Sequence, residues 1–224
     1  SNNYGSILNF STGTITTITN SGTISSTASY GIENLGTITT ITNTGEITGG
    51  SGTGDVDIKN TSGIITTLNN SQGASSSALT YDGKLPTNYN VIVNSTSDFG
   101  KTTFSSVSGT TTFGVHSTST LAVSTTYSSV LSGLSSSDIA SGTSGSIVAG
   151  STRNDWTLEN SSSTLWDLVV AADQDITPDT NTSVTSSVKP NVILGINNLN
   201  SVTEVNFANM NTYDCDLFDK NNIC

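Results

Sequence analysis

Residues 36–48, Gly-Thr-Ile-Thr-Thr-Ile-Thr-Asn-Thr-Gly-Glu-Ile-Thr, nearly duplicate residues 13–25, Gly-Thr-Ile-Thr-Thr-Ile-Thr-Asn-Ser-Gly-Thr-Ile-Ser. The offset is 23 positions at Gly13/Gly36, Ile15/Ile38 and Gly22/Gly45, and a looser copy from Gly63 to Gly73 follows 27 positions further on. A period in this range signals units that stack on one another rather than fold alone. Within one unit the apolar residues are isoleucines embedded in threonine, β-branched types that favour a pleated strand over a helix. A glycine or Asn-x-Gly follows each short run, where the backbone needs a turn.

One such unit exposes a few isoleucines and cannot make a core. Stacking places Ile15 over Ile38 over Ile65, and the column becomes a dry interior. The expected core of the repeat is Ile15, Ile18, Ile24, Ile38, Ile41, Ile47, Ile65 and Leu68. The fold expected is all-β: a parallel β-helix, or β-solenoid, in which each coil pairs its backbone with the coils above and below. Tyr4, Ile7, Leu8 and Phe10 read as a first, imperfect coil. Gly49-Gly-Ser-Gly-Thr-Gly54 reads as a flexible projecting loop. In the alternating run from Asp55 to Asn60, Val56 and Ile58 share one face and Asp55 and Asp57 the solvated other.

From Ala78 the repeat loosens, yet short strands recur at Ala78–Tyr81, Tyr89–Val93, Lys101–Phe104, Thr111–Val115, Thr126–Leu131, Ser146–Val148, Trp156–Glu159 and Leu165–Val170. Their spacing favours further coils. Trp156 to Trp166 reads as a hairpin turning at Asn160–Ser163, a C-terminal cap that covers the last open edge of a parallel stack. The expected organisation is a β-helix with its cap over 1–170 and a polar, proline-interrupted linker over 171–189. An amphipathic helix over 190–212 and a tail over 213–224 follow. The helix rests on Val192, Ile193, Ile196, Leu199, Val202 and Val205, which fall in steps of three and four.

Charged residues are 10% of the chain and the net charge is −11. That balance argues against nucleic acid, whose phosphates need lysine and arginine clusters, and six basic residues make no patch for an anionic membrane surface. No apolar run is long enough for a membrane-spanning helix. Ser1-Asn-Asn-Tyr reads as a mature or trimmed start. Cys215 and Cys224 lie nine positions apart, and the simplest reading is one local disulfide. A redox pair or half a metal site is the competing reading, without a CxxC spacing or nearby histidine to support it.

The succession of the Asn/Gly/Thr/Ile repeat, the block Leu79-Thr-Tyr-Asp-Gly-Lys-Leu-Pro-Thr-Asn-Tyr-Asn-Val-Ile-Val93, the phrase Thr126-Tyr-Ser-Ser-Val-Leu-Ser-Gly-Leu134 and the hairpin of Trp156 and Trp166 resembles a bacterial autotransporter passenger. The tail from Tyr213 to Cys224 resembles the segment just ahead of such a protein's translocator barrel, placing the chain in the C-terminal part of the passenger. The resemblance implies a right-handed parallel β-helix, export through the outer membrane of a Gram-negative bacterium and display at the cell surface. It also implies an outer-membrane translocator barrel as a partner in the parent chain.

Little in the sequence points to catalysis. His116 is the lone histidine, serines are too abundant to single out a nucleophile, and no GxSxG, phosphate-loop or zinc spacing occurs. A β-helix polysaccharide lyase or hydrolase is the enzymatic alternative, but it needs clustered carboxylates or a calcium with a basic residue beside it. Here Arg153 stands alone and Asp82, Asp98, Asp138, Asp155 and Asp167 are scattered. Two acidic clusters could offer oxygens to calcium: Asp173, Asp175 and Asp179, and then Asp214, Asp216 and Asp219 with help from Asn221. A solvated acidic loop is the plainer reading of both. The expected function is therefore structural and adhesive, with no catalytic residue and no cofactor. The protein would be secreted or displayed at the surface and touch glycans, proteins or copies of itself through many weak contacts, with an extracellular fibre subunit as an alternative.

Overall fold

The computed structural model describes residues 5–149, 152–172 and 174–175. The expected linker beyond 175, the helix over 190–212 and the expected disulfide of Cys215 and Cys224 lie outside the described residues. So do the calcium candidates Asp214, Asp216 and Asp219, and with them Asp173 and Asp179. Within the described residues the chain forms a β-solenoid of about five turns and no α-helix.

The first coil supplies β1 (Ile7–Asn9), β2 (Thr14–Asn20) and β3 (Thr23–Ser25), and the second supplies β4 (Ile32–Asn34), β5 (Thr37–Asn43) and β6 (Glu46–Thr48). Later coils carry two strands each: β7 (Ile58–Asn60) and β8 (Ile64–Asn70), β9 (Leu79–Lys84) and β10 (Asn88–Val91), β11 (Thr102–Ser108) and β12 (Thr111–Val115). Then come β13 (Thr125–Ser132), β14 (Ile139–Ser141), β15 (Ser144–Ala149), β16 (Thr152–Ser162), β17 (Leu165–Val170) and β18 (Gln174–Asp175). They assemble into a ten-stranded sheet, a six-stranded sheet in the order β14-β12-β10-β8-β5-β2, and a β3-β6 pair.

Register follows the repeat. Ile15 pairs Ile38 and Ile38 pairs Ile65, so the three share one inward column. A second column runs Ile18, Ile41, Leu68, Tyr89, Phe113, and a third runs Ile7, Ile32, Ile58, Tyr81, Phe104. Ile38, Ile41, Ile47, Ile65 and Leu68 are fully buried, whereas Ile15 and Ile24, in the first coil, are only partly covered.

Asparagine closes the corners. Asn9 donates to Asn34 and Asn34 to Asn60, each at 2.8 Å, and Asn20 donates to Asn43 at 2.9 Å and Asn43 to Asn70 at 3.1 Å. These amides are buried, not the exposed turn residues that Asn-x-Gly suggests. Inside the solenoid they satisfy backbone carbonyls that a tight corner leaves unpaired: Asn20 donates to Glu46 O and Asn34 to Gly36 O and Ile64 O.

The inward side chains grow larger along the stack. Aliphatic columns give way to Tyr81, Tyr89, Phe104 and Phe113, whose rings pack tilted, edge-on or stacked at 5.4–6.1 Å. Trp156 continues this series from the cap, 5.7 Å from Phe113. The cap begins where β17 pairs antiparallel with β13, after which β16 pairs β17 and β15 pairs β16. Trp166 is buried and donates its indole N–H to Leu134 O at 2.8 Å.

Three local expectations are corrected. The β16–β17 turn lies at Ser163–Thr164 rather than at Asn160–Ser163, because a register shift between Asn160 and Ser162 keeps the polar residues in the strand. Residues 146–148 belong to an antiparallel cap strand, not to a further coil. Asp57 is buried, not on a solvated face: its carboxylate accepts from Gly49 N (2.8 Å) and Thr80 N (2.7 Å). It thereby ties the base of the exposed 51–54 loop to the next coil. Alternation failed there because the strand starts only at Ile58.

Candidate functional site

In the six-stranded sheet the residues on either side of the Ile18–Ile41–Leu68 column point out, and parallel register turns those positions into rows. One row runs Thr17, Thr40, Thr67, Asn88, Thr112, Ser141, and its neighbour runs Thr19, Thr42, Asn69, Asn90. Strand pairing sets the spacing within a row at about 4.8 Å. Asn90 donates to Asn69 Oδ1 at 2.8 Å and Asn69 to Thr42 Oγ1 at 3.0 Å, so these amides are held along the row. Gly114 ends it: a Cβ there would stand 2.4 Å from Asn90 Oδ1. The result is an array of neutral donors and acceptors in which Asn69 is buried and serves to hold its neighbours.

The ten-stranded sheet carries the charge outward, in the row Glu33, Lys59, Asp82, Ser105. Lys59 Nζ lies 2.5 Å from Asp82 Oδ1 and 5.8 Å from the centroid of the Tyr30 ring. Burial alone would raise the Asp82 carboxyl. Hydrogen bonds from Lys59, Ser105 and Ser106, with the lysine charge, outweigh it and hold Asp82 below the usual carboxylate range. This row spends its charges on itself and offers no free patch of one sign.

At the corner where β2 and β5 turn into β3 and β6, a cleft of about 400 Å³ crosses three coils. Its floor is the stacked turns Ser21–Thr23, Thr44–Glu46 and Ser71–Gln72, and one wall carries Ser75, Asn94 and Asp98. Gly45 must be glycine, since a Cβ would meet Gly22 O at 2.1 Å. Asp98 is held by Ser75 Oγ (2.7 Å) and Asn94 Nδ2 (3.0 Å). Below the floor, the buried Gln72 side chain acts as a missing strand. Its Nε2 donates to Ile47 O at 3.0 Å, and its Oε1 accepts from Ile47 N at 2.8 Å and from Asn43 Nδ2 at 3.0 Å. Sequence reasoning passed over Gln72, because nothing local distinguishes a side-chain amide that substitutes for a peptide group. The asparagine ladders left a signal, since Asn20, Asn43 and Asn70 keep the same place in each repeat.

The structure does not gather the scattered acids. Asp138 caps its own turn at Ser135, Asp155 holds Arg153 at 2.6 Å, and Asp167 accepts from Ser129 N at 2.7 Å. Among the described residues no three His, Cys, Asp or Glu side chains form a metal group. Of the acids singled out for calcium, only Asp175 falls among those residues, and it lies in the short strand β18. Asp214, Asp216 and Asp219 fall outside them, so the structure gives that cluster no geometry. His116 sits beside a turn with its Nδ1 on Thr118 Oγ1 at 2.8 Å. Trp156 and Trp166 are 7% and 5% exposed, so neither offers a platform for a sugar ring. No helix among the described residues is long and apolar enough to cross a membrane. No family model, curated protein or solved structure matches the chain.

Proposed function

We propose that the chain is a contact module, displayed at the surface of a Gram-negative cell or released from it in the manner of an autotransporter passenger. It acts through many weak hydrogen bonds to glycans or proteins of a neighbouring surface. The observation that carries this reading is the pair of outward Thr/Asn rows on the six-stranded sheet. Uncharged hydroxyls and amides at a fixed spacing can meet sugar hydroxyls or peptide groups without desolvating a charge. Each contact is weak because water competes for it. Affinity then comes from dense display, which raises the effective concentration of every further contact. Because the strands of the six-stranded sheet carry no charged residue, salt should matter little to contacts made there.

The test compares beads bearing the chain at high density with soluble monomer, on a panel of glycans and whole cells over a range of salt. Beads should attach where monomer does not, and the double variant Thr40→Lys with Thr67→Lys should lose attachment while folding normally. Monomer binding that vanishes at moderate salt would defeat the reading. So would release of reducing or unsaturated sugars, which would revive the lyase or hydrolase alternative.

A further inference from the structure

The corner cleft carries polar groups that the outward Thr/Asn rows do not use. Its floor follows the asparagine ladder. Asn20, Asn43 and Asn70 are in register, so the residues after them, Ser21, Thr44 and Ser71, supply one hydroxyl per coil along the cleft. The Thr44 hydroxyl donates to Asn20 O at 3.2 Å, which leaves its oxygen as an acceptor. Glu46 is exposed on the same floor. On the wall, Asp98 Oδ1 accepts from Ser75 Oγ at 2.7 Å and Oδ2 from Asn94 Nδ2 at 3.0 Å. Two donors thus fix the carboxylate before any ligand arrives, and each oxygen keeps accepting capacity.

The same lining narrows the ligand. It holds two carboxylates and no lysine or arginine, so an anion would enter against unbalanced like charge. No aliphatic or aromatic side chain lines it, so an apolar ligand would find no apolar wall. An extended peptide cannot add a strand at the floor, because Ile47 N–H and C=O are already taken by the Gln72 side chain. A ligand rich in hydroxyls meets none of these obstacles. Its hydroxyls can donate to Asp98, Glu46 and Thr44 without leaving a charge unpaired.

We infer that the cleft seats a short run of neutral polysaccharide, about one sugar unit per coil at a coil spacing of about 4.8 Å. The Asp98 carboxylate is its fixed anchor, and Ser75 and Asn94 position that anchor. This seat shares with the contact-module reading only the choice of a glycan and stands on a different surface from the Thr/Asn rows. Without an aromatic ring to stack on a sugar face, one cleft binds in the millimolar range, and dense display multiplies it.

The test follows backbone amides of the isotope-labelled full chain by NMR, in EDTA, during titration with cellotetraose, xylotetraose and mannotetraose. At least one should shift residues 44–46, Ser71 and Asp98 together, and its disaccharide should bind more weakly. Tetragalacturonate should leave those amides in place. Asp98→Ala should weaken binding about fivefold or more while the chain folds normally, and Glu46→Gln, which leaves the 94–98 loop intact, should weaken it too. The Thr40→Lys, Thr67→Lys variant should keep the cleft shifts even where its beads no longer attach. Absence of cleft shifts with all three neutral tetrasaccharides overturns the inference, as does unchanged affinity in Asp98→Ala. Shifts confined to Thr40, Thr67 and Asn90 overturn it and leave the contact-module reading standing. Equal binding of tetragalacturonate, or the same shifts with calcium chloride alone in place of EDTA and sugar, also overturns it.

Discussion

Replacing Gln72 by methionine isolates the side chain that stands in for a strand. Methionine keeps the length and much of the shape but has neither an N–H donor nor a strong acceptor. Ile47 N–H, Ile47 C=O and one Asn43 N–H then lose their partner in a buried place. Each unpaired buried group costs about 1–3 kcal/mol. Allowing for partial relaxation and the apolar gain of the new side chain, the loss is roughly 3–6 kcal/mol. Against a total stability of about 5–15 kcal/mol that is a severe change. For a chain of this size it lowers the melting temperature by about 6–24 °C. The assay is a far-UV circular dichroism melt with hydrogen exchange at Ile47. Gln72→Glu adds a sign test, because a protonated carboxyl can donate and accept as the amide does. That variant should be closest to the parent at low pH, where the carboxyl is protonated, and lose stability as pH rises and a charge forms in a buried place. A methionine variant melting within about 2 °C of the parent would refute the reasoning.

Gly45→Ala forces a Cβ against the Gly22 carbonyl and should destabilise by about 1–3 kcal/mol, whereas Gly22→Ala, with nothing within 4 Å, should stay within about 0.5 kcal/mol; denaturant titration of both checks it. Asp82, held below the usual carboxylate range, stabilises the fold above its unfolded pKa and loses that contribution as pH falls through its folded value. Asp82→Asn should therefore flatten the acid limb of a stability–pH curve, and an unchanged limb would contradict the Lys59 pairing. Burial pushes the Tyr89 hydroxyl up to about 12, so it should not ionise in the folded protein as pH passes 10; ultraviolet titration showing normal tyrosinate formation without unfolding would contradict this. Trp166→Phe leaves Leu134 O without its donor and should loosen the cap by about 1–3 kcal/mol, seen as faster exchange in Leu165–Val170 before global unfolding.

The sequence by itself determined the stack. A near-identical unit recurring after 23 positions, with β-branched residues inward and glycine at the corners, has one economical way to bury its isoleucines, and the Ile15–Ile38–Ile65 column follows from matching that unit to its looser copy 27 positions on. The outward Thr rows follow around Ile18 and Ile41, whose neighbours in a pleated strand face away from the core, although the alternation breaks at Thr16 and Thr39. Tertiary structure decided what periodicity cannot encode. Asp57 and Gln72 are buried because partners from other coils, Thr80 and Ile47, come within hydrogen-bond reach of them. The asparagines turned inward for the same reason: a tight corner strands carbonyls in the interior, and a short amide reaches both those and the next amide along the stack. The cap hairpin of Trp156 and Trp166 was legible, but its docking onto β13 and the added strand β15 arose from pairing between segments whose direction and register stay unspecified until a neighbouring edge supplies them.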